Sequence, residues 1–288
     1  MCVCVCEPVY GSSLTDAQWA VVEPLLPRRH PSLRGRPPVH SRRLVIDTIS
    51  YVLVSGCAWR LVPWTTAYRV FAAWTADGTW GRVHDVLRGR VRARDGRDPR
   101  PSAAVLDSQS VKTCEGGERI GYDAGKRVRG RKRHVLVDTL GLLLGVAVSS
   151  ASARDRPGAR RVLTGIRRVF PRLRPVWADG GYVNSKDATL VNRARENEDI
   201  EIVAVPRNAD VAGFQVLPRR WVVERTFGWL TRCRRLTRDY ERKTAHAEAM
   251  IQFAMIRLMA ARLADEHIEP RGPIETEAAR RLAEDTNN

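Results

Sequence analysis

Apolar positions recur at helical spacing through the first third of the chain and gather into short strand-like runs thereafter. Leu14, Trp19, Val22, Leu25 and Leu26 fall on one side of a helix expected over residues 14–27, with Thr15 or Asp16 as its cap and Pro27 as its stop. A second helix is expected over 41–56, ending at Gly56. A third follows Trp64 through Tyr68, Phe71, Ala72 and Trp74 to the Asp77-Gly78 turn. A fourth starts near Thr79 and carries Trp80, Val83, Val86 and Leu87. Four short helices with this aromatic content resemble a helix-turn-helix bundle, although any small helical domain would give the same pattern.

The texture changes after residue 102. Ala103 to Leu106 reads as a short buried strand, and residues 115–131 as a glycine-rich basic segment. Residues 133–148 read as a hairpin that turns at Leu140-Gly141. Helices are expected over 155–169 and 185–197, strands at Val176 to Ala178 and Ile200 to Val205, and two long helices over 217–239 and 246–264. Strands in a run, then alternating with helices, indicate an α/β domain: a mixed sheet with helices on its faces. The expected organisation is a loose tail (1–13), a helical domain (14–95), the α/β domain (96–264) and an acidic tail (265–288).

Charge narrows the partner. A formal net charge of +17 makes an anionic partner the natural one, nucleic acid ahead of a membrane surface. No apolar run approaches the ~20 residues that span a bilayer, and no signal-peptide pattern opens the chain, so a cytoplasmic, nucleoid-associated protein is expected. Cys2, Cys4 and Cys6 alternate without zinc-site spacing and read as free thiols. The segment 28–43 is rich in arginine and proline and has no acid. Its Arg34 and Arg36 have the form of a minor-groove insert, and equally of a charged linker. The run from Lys126 to His134 (Lys126, Arg127, Arg129, Arg131, Lys132 and Arg133) reads either as a solvated face or as a grip on a phosphate backbone.

Against this basic background three acids stand out. Asp107 and Asp179 each follow an apolar strand-like run, and Gly180-Gly181 after the second leave room for a ligand. Taken singly, each fits equally well as a carboxylate closing a strand or turn on nearby amides. Glu224 falls on the long helix opposite Val222, Trp229, Leu230, Cys233 and Leu236, sharing its face with Arg220, Thr231 and Arg235, and with Arg232 nearby. Taken together, three acids beside phosphate-binding surface suit two Mg²⁺ ions, with Mn²⁺ as a substitute, since phosphoryl transfer uses paired hard cations held by oxygen donors.

The blocks VLDSQSVKT, GYDAGKRVRGRKRHVLVDTLGLLLGV, VWADGGY, LPRRWVVERTFGWLTRCRRLTRDYE and AMIRLM together resemble the IS5 family of bacterial insertion-sequence transposases, and LTDAQWAVVEPLLP with GCAWRLVP resembles that family's N-terminal helical region. The likeness runs from about Leu14 to Ala264. It implies an RNase H-like DDE core with Asp107, Asp179 and Glu224 as its acids. The implied DNA contacts come from Lys112, the basic run, Arg220, Arg232 and Arg235. The resemblance further implies binding of terminal inverted repeats, Mg²⁺-dependent cleavage, strand transfer into target DNA, and at least a dimer on DNA. Between Val62-Pro63 and Trp64 this chain has fewer residues than the family pattern, and MCVCVCE is an atypical start. An inactive repressor derived from a transposase, or a structure-selective nuclease, would share much of this pattern.

Overall fold

The computed structural model describes residues 10–28, 40–62, 64–114, 116–183, 188–205 and 219–266. Arg34, Arg36, Cys2, Cys4, Cys6, Pro63 and the tail from residue 267 lie outside the described residues, as does the stretch 184–187, which holds the start of the helix expected over 185–197.

Local chemistry sets the helical start of the chain. The Thr15 hydroxyl accepts the Gln18 amide (3.1 Å) and caps α1 (Asp16–Val22), which tightens into a 3₁₀ turn over Glu23–Leu25. Ser41 caps α2 (Arg42–Ser55) in the same way, and Gly56, at φ +74°, ends it in a left-handed conformation that suits glycine. A second 3₁₀ turn (Trp59–Leu61) precedes α3 (Trp64–Ala76), and the Asp77-Gly78 turn leads into α4 (Thr79–Arg94).

The sheet begins with β1 (Ala104–Lys112), β2 (Gly121–Asp123), β3 (Val128–Asp138) and β4 (Leu143–Ser150). Helices α5 (Asp155–Leu163) and α6 (Ile166–Val169) lead to β5 (Pro175–Ala178), then α7 (Thr189–Glu198) leads to β6 (Glu201–Ala204). The chain closes with α8 (Trp221–Thr231), α9 (Arg234–Thr237) and α10 (Thr244–Leu263). Strand order is β2-β3-β1-β5-β6, with β4 also on β3. The pairs of β3 are antiparallel, while β1-β5 and β5-β6 are parallel. Among the described residues no helix is long and apolar enough to cross a membrane.

Alternation along β1 and β3 divides the interior into two cores. Val105, Val135 and Val137 face a cluster built with α1–α4, α8 and α10, whereas Ala104, Leu106 and Leu136 face α5–α7. The first core joins the N-terminal helices to the C-terminal one: Trp80 of α4 meets Phe253 of α10 edge-on, ring centroids 5.1 Å apart, and Phe71 of α3 meets His246 at 5.5 Å.

Several expected boundaries change. β1 continues past Leu106 through Ser108, Gln109 and Ser110, because its ladder with β3 runs on from Ala104↔Asp138 to Lys112↔Gly130. The basic segment over 115–131, assigned no element from sequence, contains β2 and the start of β3. Gly130 sits there because a Cβ would collide with the Val111 carbonyl of the adjacent strand. The expected helix over 217–239 is two helices. Cys233 is extended (φ −86°, ψ 111°), so the face drawn through Glu224 to Arg235 does not exist. The helix over 155–169 also breaks, at Gly165 with φ +74°.

Candidate active site

Asp107 and Asp179 come together through register. Val105 pairs with Trp177 across the parallel β1-β5 ladder, and each aspartate lies two residues further on. Adjacent strands run about 5 Å apart, so the two acids occupy neighbouring positions on the side of the sheet that α8 covers. Asp107 lies within β1 and Asp179 just past the end of β5.

The Asp107 side chain is 15% exposed. One carboxylate oxygen accepts the Ser108 amide at 2.7 Å, and the other faces Arg220 Nη2 at 3.5 Å. Burial pushes its carboxyl above the ordinary carboxylate range and the charge of Asp179 adds to this, while the Ser108 amide and Arg220 oppose the rise. Asp179 accepts the Gly181 amide at 2.8 Å, and the Tyr182 amide closes the same turn on its carbonyl. Glu224 is half-buried in the first turn of α8, one turn beyond Arg220, whose carbonyl accepts its amide. No hydrogen bond or ion pair among the described residues engages the Glu224 carboxylate. No three acid, histidine or cysteine side chains among the described residues are gathered closely enough to enclose a metal. The structure thus brings two of the expected acids near each other and places the third on the helix whose N-cap arginine, Arg220, faces one of them.

This donor set suits a hard divalent cation. Asp107 and Asp179 are close enough for the charge of one to act on the other, and a cation between them would offset the burial and repulsion that raise Asp107.

The basic candidates separate into surface and interior. Lys112, Lys126, Arg127 and Arg129 are exposed, as is Arg232, while Arg220 is turned to Asp107. Arg131, Lys132, Arg133 and Arg235 are buried, which corrects their expected role as phosphate contacts. Arg131 donates to the carbonyls of Glu118, Glu241 and Arg242 and pairs with Asp239 at 3.2 Å. Arg133 donates to the Leu236 carbonyl at 2.7 Å, and burial lowers its guanidinium to about 10. Arg235 pairs with Glu241 at 2.7 Å beneath Trp59 and Tyr240. Lys132 points to the opposite face, onto Asp155 at 3.1 Å. Buried cations need fixed partners, and here those partners tie β3 to the segments around α9 and α5.

Residues not singled out in the sequence surround the pair of acids. The Ser108 hydroxyl donates to Asp155 at 2.7 Å, and Tyr182, 1% exposed, is kept protonated by burial. The alternating faces of a longer β1 would have pointed to Ser108, while Tyr182 gives no such signal.

A mixed sheet flanked by helices, with acids on and just beyond its paired parallel strands, in a strongly basic chain, is the build of a polynucleotidyl transferase with an RNase H-like fold. A family model described as "Transposase DDE domain" matches residues 98–259, more than half of the chain, and one described as "Putative transposase of IS4/5 family" matches residues 14–84. The chain belongs to the DDE transposases of insertion sequences. It is 35% identical over 118 residues to an insertion element IS402 uncharacterized 16.2 kDa protein of Burkholderia cepacia, covering 38% of this chain and 78% of that one. It is 32% identical over 136 residues to a putative transposase for insertion sequence element IS402 from the same organism, covering 44% of this chain and 62% of that one, under two thirds of its length. No solved structure matches the chain.

Proposed function

We propose that this transposase cuts DNA at the terminal inverted repeats of its element and joins the freed ends to target DNA, using Asp107, Asp179 and Glu224. The observation that supports this reading is that Asp107 on β1 and Asp179, just past the end of β5, each lie two residues beyond a paired position of the parallel ladder, with Arg220 of the α8 N-terminus against Asp107. Asp107 and Asp179 would hold Mg²⁺, with Glu224 as the third ligand. When bound, the ions lower the cost of deprotonating the attacking oxygen and of charge on the leaving one.

The chain's own part is placement. The β1-β5 ladder fixes the two aspartates relative to each other, and the Ser108 and Gly181 amides orient their carboxylates. Arg220, beside Asp107, would hold a non-bridging phosphate oxygen. Water attacks first and frees a 3′-hydroxyl at the element end. That hydroxyl then attacks a target phosphodiester. The exposed Lys112, Lys126, Arg127, Arg129 and Arg232 hold backbone phosphates, the helices of residues 14–95 read the repeats, and residues 96–264 carry the chemistry. Synapsis of two ends requires at least a dimer.

The test is cleavage of a labelled inverted-repeat duplex with Mg²⁺. Asp107→Asn, Asp179→Asn and Glu224→Gln are each expected to lower the rate at least about a thousandfold, the scale of several kcal/mol of lost charge stabilisation. Cleavage by any of them within tenfold of the parent rate removes that residue from the site.

A further inference from the structure

On the face of the sheet opposite α8 lies a cleft of about 530 Å³ between α5 and α7. Arg154, Arg156, Arg160 and Arg193 line it, together with Gly181 of the Asp179 turn. Arg156 and Arg160 stand one turn apart on α5, and Arg193 faces them from α7. Arg154, Arg160 and Arg193 are exposed, and no carboxylate among the described residues pairs with any of the three. The acid in the wall, Asp155, is committed to Lys132 and to the Ser108 hydroxyl. Arg156 donates to the Gly181 carbonyl at 3.3 Å, so the wall of the cleft is also the support of the Asp179 turn. Elsewhere on this chain arginines find carboxylates readily, as Arg172 does with Asp98 and Arg174 with Asp199. Three guanidinium groups without carboxylate partners among the described residues, beside the candidate site, suit an outside anion with several charges along its length.

We propose that this cleft holds the phosphate backbone of target DNA. The choice of target over element DNA follows from the two cores. The N-terminal helices share the core on the α8 side of the sheet. If they hold the inverted repeat, as proposed above, the element end approaches Asp107 and Asp179 from that side. The α5-α7 cleft opens on the other face and borders the same two acids through Gly181 and the Ser108-Asp155 bond. A second duplex laid there brings its phosphodiester to the acids without crossing the first.

The experiment uses the full chain and the double variant R160A/R193A. Both side chains lie on helix surfaces, where alanine is well tolerated. Three quantities are measured: cleavage of an inverted-repeat duplex, joining of a pre-cleaved end to plasmid DNA, and metal-free binding of a duplex lacking the repeat at several salt concentrations. The expected result is joining reduced tenfold or more with cleavage within about twofold. The salt slope of binding is expected to fall by about 2, close to 0.9 for each phosphate no longer neutralised. Equal loss of cleavage and joining, or loss of cleavage alone, would place element DNA in the cleft and overturn the assignment. Unchanged joining by an active parent protein would overturn it too. If the parent protein neither cuts nor joins, the activity reading above fails, and an unchanged salt slope then removes the cleft separately.

Discussion

At the residue scale, the chain's basicity divides into arginines that meet solvent and arginines that hold the fold. Arg131 and Arg133 alternate with Lys132 on one strand, two pointing toward α9 and one toward α5. Asp239, 2% exposed, pairs with Arg131 and supports the charge of Arg133. Asp239→Ala would strand buried charge and is expected to destabilise the protein by about 3–5 kcal/mol, read as a lower urea midpoint. A midpoint shift worth under 1 kcal/mol would mean these arginines are satisfied by carbonyls alone. The sequence showed six basic residues in nine positions but not which of them were interior, because Asp239, which pairs with Arg131, and Asp155, the closer partner of Lys132, lie well outside the run. The acids at 107 and 179 were legible because each breaks an apolar run at the same offset, and register then set them side by side.

His134 supplies the pH dependence at this scale. It is fully buried against Ser149, and burial, with Lys132 and Arg161 nearby, lowers its imidazole to about 4. Its folded value therefore lies below the unfolded one of roughly 6.5. Between those values the unfolded chain binds a proton that the folded chain refuses. Stability from this group is complete above pH 6.5 and is lost as pH falls toward 4, by on the order of 3 kcal/mol. Urea midpoints at pH 7 and pH 5 are expected to differ, and His134→Gln is expected to narrow the gap. An unchanged gap in that variant would assign the effect to other groups.

At the element scale, the helices of the first third were legible because their caps and stops are local. Thr15, Ser41, Gly56 and the Asp77-Gly78 turn each act within four residues. Elements fixed by distant partners were not. The polar half of β1 is a strand because β3 lies beside it, and the expected long helix stops at Thr231 because Cys233 turns the chain so that Arg235 can reach Glu241 and the Cys57 carbonyl. Close packing of α5 on β3 is another such case. Gly158 lies directly on the His134 ring, and an added Cβ would overlap it. Gly158→Ala is expected to push α5 off the sheet at a cost of about 1–3 kcal/mol, seen as a lower melting temperature. An unshifted melt would show that the ring can move aside.

At the scale of the whole molecule, the basic balance and the mixed sheet were readable from composition and from the run of strands before helices. The sharing of one core by both ends of the chain was not, because α10 gives no sign in sequence of where it packs. Trp80 and Phe253, more than 170 residues apart, lie against each other, and β1 separates that core from the one holding the arginine cleft. The proposed division of labour between the two sheet faces rests on that arrangement.

The last long helix has a genetic consequence as well. Because α10 completes the interior of α1–α4, a nonsense codon or frameshift ahead of residue 244 would leave the opening helices without their closing layer. Degradation, rather than a lingering DNA-binding stub, is the natural fate of such a product, so a damaged copy of the gene would fall silent instead of competing with intact ones for element ends.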